Sequence, residues 1–166
     1  MTTERIDLLS ATPKTLAHLV AEASDELLDA AATPGEWTAR TVLAHLRDDE
    51  FLCMRVCVER ALAEERPSVA LLEGADWVGG RNLSRDRKEL LLADFALQRQ
   101  ASVSILRALR PAEWERSMRH AEHGEFTISQ FLDAWLRHDA EHVAQLERAV
   151  GETLGDVLRR RARLTE

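Results

Sequence analysis

The stretch TISQFLDAWLRHDAEHVAQLERAV, residues 127–150, decides the fold. Its apolar residues recur every three or four positions, the spacing that places side chains on one face of an α-helix. They are Ile128, Phe131, Leu132, Trp135, Leu136, Val143, Leu146 and Val150. Thr127 can cap the start of this helix and Gly151 marks its predicted end. The stretch therefore predicts an amphipathic helix whose apolar face other helices must cover.

Three further stretches of the chain carry the same helical periodicity. They cover about residues 4–29, 38–65 and 84–110. Thr38 and Ser84 are suitable N-caps for the second and third of these helices. Pro13 lies inside the first, which is therefore expected to begin near Pro13 or to bend there. Together with residues 127–150, these stretches make four helices of a bundle.

Glycine and proline are scarce and cluster between these stretches, so they mark the connections. The connections are residues 33–37, the long loop 66–82 with Trp77 in its middle, and residues 111–126. No stretch alternates apolar and polar residues for long enough to predict a strand. A short fifth helix is predicted over about residues 156–163. The chain is therefore predicted to be all-α, a single four-helix-bundle domain over residues 1–166 with a short fifth C-terminal helix.

Composition limits the partners of the chain. The net charge of -7 would repel nucleic-acid phosphates, and we interpret the arginine-rich run at 159–163 as the solvated end of a helix. No apolar run approaches the roughly 18 residues of a membrane span, and the N-terminus lacks the layout of a signal peptide. We therefore expect a cytoplasmic protein with neither nucleic-acid nor membrane partners. Cys53 and Cys57 are expected to be small buried hydrophobes rather than a disulfide.

His138 and His142 occupy positions on the apolar stripe of the fourth helix. Being four residues apart, they share one face, one turn above the other. Two adjacent imidazoles in a core are costly, because charged rings repel and neutral rings each leave a donor and an acceptor to satisfy. The pair could instead lie at a solvated edge, which is the favoured interpretation of an isolated His-x-x-x-His. The alternative is that the pair binds a metal ion.

The position of His45 in the second helix favours the interpretation that the pair binds a metal ion. It lies at the inner edge of the stripe that runs from Val42 to Val56, so its side chain is expected to point into the bundle. Bundle metal sites are built from inward-pointing side chains on facing helices. A set of three histidines leaves at least one coordination position open for water or substrate. We therefore predict a metal site formed by His45, His138 and His142.

The other histidines are expected to lie outside this site. His18 is expected on a helix surface or as a satisfied core residue. His120 and His123 fall in a polar connection, with His123 as a minor candidate for the mouth of the site.

Acidic residues flank the predicted ligands. Asp49, Asp139 and Glu141 are by default helix-surface residues. Asp49 lies one turn from His45 and could orient a ligand or a bound water. Cys53 lies about 12 Å from His45 along the helix axis, too far to complete the same site.

Two segments of the chain resemble the DinB-like (YfiT-like) superfamily of bacterial metal-binding four-helix proteins. One is EWTARTVLAHL, residues 36–46, which is similar to the family's Trp-Ser/Thr lead into helix two and its His-Leu. The other is HGEFTI, residues 123–128, followed by HDAEHVAQL, residues 138–146. It is similar to the family's Gly-x-x-Thr lead, paired histidines and following Gln. The helix pattern covers nearly the whole chain, in the order that the family has.

The resemblance implies that His45, His138 and His142 bind a divalent ion, usually zinc or nickel. It also implies a homodimer. Some members of the family are transferases or isomerases that use a low-molecular-weight thiol such as bacillithiol or mycothiol, and many have no assigned activity. The family name does not imply DNA binding.

Three functions stay open at this point. A divalent ion with an open position can activate a thiol in an S-transferase that acts on small molecules, or water in a hydrolase. It could also serve stability or sensing in a non-catalytic protein. The family resemblance favours the transferase. The loop 66–82 and the connection around His123 could shape the pocket of such an enzyme.

An inverted zinc-protease motif, His138-x-x-Glu141-His142, is also present. We do not favour a protease, because few residues follow His142 to supply the third ligand. Glu141 also points about 100° away from His142 on a helix.

Overall fold

Helices form most of the computed structural model, which describes residues 2–31, 33–71, 77 and 86–163, with side chains up to Gly151. The helices are α1 (Thr2–Leu19), α2 (Asp25–Asp29), α3 (Ala39–Asp49), α4 (Arg55–Ala63), α5 (Lys88–Ala108) and α6 (Ile128–Arg163). A π-helical turn, Glu50–Met54, joins α3 to α4 without a break. The helices α1 and α3 each pack against α5 and α6, which confirms the predicted four-helix bundle.

The caps of the second and fourth helices form as predicted. The Thr38 hydroxyl accepts a hydrogen bond from the backbone N–H of Thr41 at 3.2 Å. The Thr127 hydroxyl accepts one from the Gln130 N–H at 3.2 Å, and the Gln130 side-chain oxygen accepts one from the Thr127 N–H at 2.9 Å. Such a reciprocal pair satisfies two backbone donors that the helix leaves free. The predicted cap Ser84 lies outside the described residues.

The first predicted helix is not one continuous helix. It breaks after Leu19 and resumes as α2, where the Ser24 hydroxyl caps the new start by accepting from the Leu27 N–H at 3.3 Å. Pro13 does not start or end α1, which continues through it. Proline has no N–H to give to the carbonyl four residues earlier, that of Leu9. A side chain from α5 supplies that hydrogen bond instead, as described below.

The connection before α6 contains a short hairpin that the sequence did not predict. Strand β1 (Ser117–His120) pairs antiparallel with β2 (Gly124–Thr127), with Met118 opposite Phe126. Each strand has four residues, too few for an alternating pattern to be recognised. Gly124 has a φ of 75°, a conformation that suits glycine at a turn.

Gly151 does not end the last helix. The predicted fifth helix is therefore wrong as a separate element, because α6 is continuous to Arg163. Glycine inside a helix costs only about 1 kcal/mol, which the turns on either side can outweigh. The predicted solvation of the side chains at 159–163 lies outside the described residues.

The core is divided into two apolar clusters, one towards each end of the bundle. On α6, the first includes Phe131 and Trp135 and the second includes Leu146. His138 and His142 lie between them. Cys53 and Cys57 are buried free thiols, as predicted. Among the described residues, no helix has the length and apolar character to cross a membrane.

Candidate metal centre

The structure brings the three predicted histidines together. His45 on α3 and His138 on α6 have their Nε2 atoms 3.2 Å apart. One ring nitrogen from each of His45, His138 and His142 lies within 4.8 Å of the other two. His45 is 4% exposed, and the other two rings are partly buried. The pair on α6 therefore faces His45 across the bundle and is partly exposed.

The donor set fits a divalent metal ion. Nitrogen ligands about 2.0–2.1 Å from a tetrahedral zinc lie about 3.3 Å from each other, close to the spacing of the two Nε2 atoms. The His142 Nδ1 lies 2.9 Å from the Gln145 side-chain oxygen. With Nδ1–H donating to this oxygen, Nε2 keeps the lone pair that a metal needs.

Two of the three rings have a buried nitrogen without a hydrogen-bond partner. Nδ1 of His45 and Nδ1 of His138 are buried and have no hydrogen-bond partner among the described residues. Most buried polar side-chain atoms in folded proteins do have one.

The surroundings keep the imidazoles of His45 and His142 neutral. Burial, together with the neighbouring rings of His142 and His138, lowers the pKa of His45 from 6.5 to about 3. Burial and the nearby His138 also lower the pKa of His142. Neutral imidazole is the form that binds metal ions. Both residues are thus available as ligands at neutral pH without first losing a proton.

Asp49 is buried beside the cluster rather than on the helix surface. Its Oδ2 lies 3.4 Å from His138 Nε2, the same atom that faces His45. Burial raises the pKa of Asp49 from 3.8 to about 6, although the interaction with His138 opposes this rise. A carboxylate in this position can hold a proton next to the three rings.

Asp139 is also buried, which corrects its prediction as a surface residue. It is 4% exposed and forms an ion pair with Arg99 of α5. Burial alone would raise the pKa of Asp139, but the Arg99 guanidinium holds it at about 2. Glu141 is exposed, as predicted, and takes no part in the cluster.

Two tryptophans enclose the histidines. The ring centroid of Trp37 lies 5.1 Å from that of His45 and 6.1 Å from that of His142. The Trp77 ring lies 5.3 Å from that of His45, and its Nε1–H donates to Asp48 Oδ2 at 2.9 Å. Of the loop 66–82, residues 66–71 and Trp77 are described, and Trp77 does border the site as expected.

An open cleft of about 350 Å³ lies next to His142. It is lined by Gly35, Glu36, Trp37, His142, Gln145, Arg148 and Ala149. The cleft is large enough for a small molecule and would give it access to the histidine cluster through His142.

The remaining histidines lie elsewhere. His18 is exposed on α1. His120 and His123 stack on each other with ring centroids 4.6 Å apart. His123 borders a second cavity, of about 580 Å³, which also contacts Ala134 and Arg137. His123 does not belong to the three-histidine cluster.

Sequence reasoning missed Arg99. It is 1% exposed, yet it lies on the apolar stripe of α5 between Phe95 and Val103. A charged residue at such a position was the signal that could have revealed it, because isolated buried charges are rare.

Comparisons with known proteins agree with this architecture. A sequence profile of the DinB superfamily matches residues 8–146. A protein of Oceanobacillus iheyensis named "Putative metal-dependent hydrolase" is 27% identical over 143 residues, covering 86% of this chain and 82% of the relative. One of the same name from Bacillus licheniformis is also 27% identical over 143 residues, covering 84% of this chain and 79% of the relative.

A solved structure has the same fold. It is YfiT from Bacillus subtilis, described as "a probable metal-dependent hydrolase with an unusual four-helix bundle topology". The two structures agree with a TM-score of 0.78 at 24% identity, over 90% of this chain and 87% of YfiT.

Proposed function

The chain belongs to the DinB superfamily, and we propose that it is a divalent-metal-dependent enzyme acting on small molecules, with His45, His138 and His142 as the metal ligands. The observation that carries this proposal is the convergence of three imidazole nitrogens from two facing helices within 4.8 Å. Zinc and nickel are the proposed ions, since both accept imidazole.

Hydrolysis is the reaction we propose first. The names of the relatives support it, and so does the carboxylate of Asp49 beside His138. A divalent ion held by three imidazoles would supply a Lewis acid and would lower the pKa of a bound water or thiol to near neutrality. With a pKa of about 6, Asp49 is mostly ionised at neutral pH and can accept a proton at Oδ2.

The residues around the three histidines would orient a metal ligand, admit the substrate and exclude bulk water. Gln145 fixes the ring orientation of His142, and the cleft beside His142 admits a small substrate. Trp37 and Trp77 cover the His45 side of the cluster and would exclude bulk water there.

Transfer of a low-molecular-weight thiol is the second candidate. Three neutral imidazoles leave the full charge of a divalent ion for an anionic ligand, and both zinc and nickel bind thiolates. The resemblance to thiol-dependent relatives supports this reaction.

We further propose that the chain forms a homodimer through exposed apolar side chains of the π turn and α5. Phe51, Leu52 and Leu97 are 48%, 53% and 65% exposed. Arg55 lies over the Phe51 ring and donates to Gln98, so the π turn and α5 are adjacent on this side of the bundle. Light scattering on the parent and on Leu52→Glu should give a dimer and a monomer respectively.

Elemental analysis of protein purified without an affinity tag tests the metal proposal. We expect about one divalent ion per chain and its loss in His138→Ala, since two nitrogens hold an ion poorly. The exposed histidine His18 provides the control, and His18→Ala should keep the ion. A parent protein without metal, or unchanged occupancy in His138→Ala, would contradict the proposal.

The reaction is tested by comparing metal-loaded with metal-free protein. Model esters and amides test hydrolysis, and a small thiol with an electrophile tests transfer. In either assay we expect Asp49→Asn to lower kcat while metal occupancy stays unchanged. Equal rates for loaded and metal-free protein in both assays would leave non-catalytic metal binding as the function.

A further inference from the structure

A layer of polar side chains crosses the bundle between the two apolar clusters. Each long helical segment contributes to it: Thr12 from α1, Glu50 from the π turn, Arg99 from α5 and Asp139 from α6. All four residues are buried, with 7%, 1%, 1% and 4% of their surface exposed. Polar groups this deep in a core persist only when they are paired.

Arg99 is the hub of this layer. Its Nε donates to Glu50 Oε2 at 2.9 Å, and its two terminal nitrogens donate to the two oxygens of Asp139. Nη1 also donates at 2.9 Å to the carbonyl of Leu9, the one that Pro13 leaves without a helical donor. The planar guanidinium thus contacts α1, the π turn and α6 at once.

One partner of Arg99 is next to a predicted metal ligand in the chain, and the other is five residues from one. Asp139 directly follows His138. Glu50 directly follows Asp49, which lies one helical turn after His45. Asp139 binds the guanidinium through both oxygens. Arg99 therefore links the helical segment that carries His45 to the helix that carries His138.

The carboxylates of the layer outnumber its guanidinium group. Glu50 and Asp139 both pair with Arg99, whose guanidinium is the one that the described residues place in the layer. The Oε1 of Glu50 is buried without a hydrogen-bond partner in the described part of the chain, in keeping with a layer short of positive charge.

We propose that Arg99 is a positioning residue of the metal centre, which holds His45 against His138 and His142 through Glu50 and Asp139. This inference rests on the proposed metal binding. It assigns a role to a side chain that is not itself a ligand. Outer partners of metal ligands commonly change metal affinity by about 10- to 100-fold when they are replaced.

Arg99→Lys is the variant that tests the proposal. Lysine keeps the buried charge but loses the planar fork that reaches both carboxylates. We expect the Kd for Zn²⁺, measured by competition with a chelator, to rise at least about 10-fold. The visible absorption of the Co²⁺-loaded protein should change as well, because the angles between the ligands change. Asp139→Asn, which keeps the shape of the side chain, should weaken binding in the same direction.

Arg5→Lys is the matched control. Arg5 also joins two helices, since it pairs with Asp133 at 2.7 Å between α1 and α6, but it does not contact the layer. The Arg5→Lys protein should have the same Kd for Zn²⁺ and the same Co²⁺ spectrum as the parent.

The outcomes separate this inference from the proposed function. If the parent binds neither Zn²⁺ nor Co²⁺, the proposed function fails and the inference fails with it. If the parent binds both ions while folded Arg99→Lys and Asp139→Asn keep its affinity and spectrum, only the positioning role is overturned. A loss of stability in these variants with unchanged Kd would likewise overturn it, because the layer would then be merely structural.

Discussion

Replacing His45 with leucine should change how the stability of the metal-free protein depends on pH. The folded protein holds His45 neutral, with a pKa of about 3 against 6.5 for a free side chain. The unfolded chain therefore binds more protons than the folded protein below about pH 6.5, so stability falls as the pH falls. The loss continues until the pH approaches the folded pKa.

The size of this effect follows from the two pKa values. Each pH unit below 6.5 lowers the free energy of unfolding by about 1.4 kcal/mol through this one group. Between about pH 7 and pH 5, the parent should therefore lose roughly 2 kcal/mol that His45→Leu does not lose. Asp49 acts in the opposite direction, because its pKa is raised to about 6, but both proteins retain it. The contribution of Asp49 therefore cancels when the free energies of unfolding of the two proteins are subtracted.

Urea denaturation with a chelator present measures the effect. The free energy of unfolding is determined at both pH values for the parent and for His45→Leu. The exposed His18 supplies a control, because His18→Leu should follow the parent at both pH values. A stability difference between His45→Leu and the parent that is the same at both pH values would refute the reasoning, since His45 would then titrate alike in the folded and unfolded states.

Three further predictions concern stability. Zinc at 100 times its Kd should raise the free energy of unfolding of the parent by about 2.7 kcal/mol, and His142→Ala should abolish the increase in a thermal or urea titration. Thr127→Ala should lower stability by about 1 kcal/mol in urea, because the capping pair with Gln130 is lost, and should leave the Kd for zinc unchanged. Trp77→Phe should lower stability by about 2 kcal/mol, because the buried bond to the Asp48 carboxylate is lost, and an unchanged urea midpoint would contradict that bond.

The parts of the fold that could be predicted depend on residues close in sequence. The caps at Thr38 and Thr127 involve partners three residues away, and the pairing of His138 with His142 follows from helical spacing. The convergence of His45 with that pair could be predicted because the apolar stripe of each helix indicated which face of that helix is buried. Periodicity is reliable for long helices, and this chain is mostly long helices.

The parts that could not be predicted depend on contacts between distant residues. Pro13 remains inside a helix because Arg99, 86 residues later in the chain, donates to the free carbonyl of Leu9. Asp139 looked like a surface residue because its partner lies on another helix. The hairpin before α6 has strands too short to show a pattern.

The division of the core has a consequence for how sequences with this fold can diverge. Apolar residues in the two clusters can be exchanged for others of similar volume at little cost, so those positions can change one at a time. The charged layer cannot change in that way, because removing one partner leaves a buried charge unpaired. A relative that has lost the arginine at position 99 is therefore expected to have lost the acidic residues at positions 50 and 139 as well.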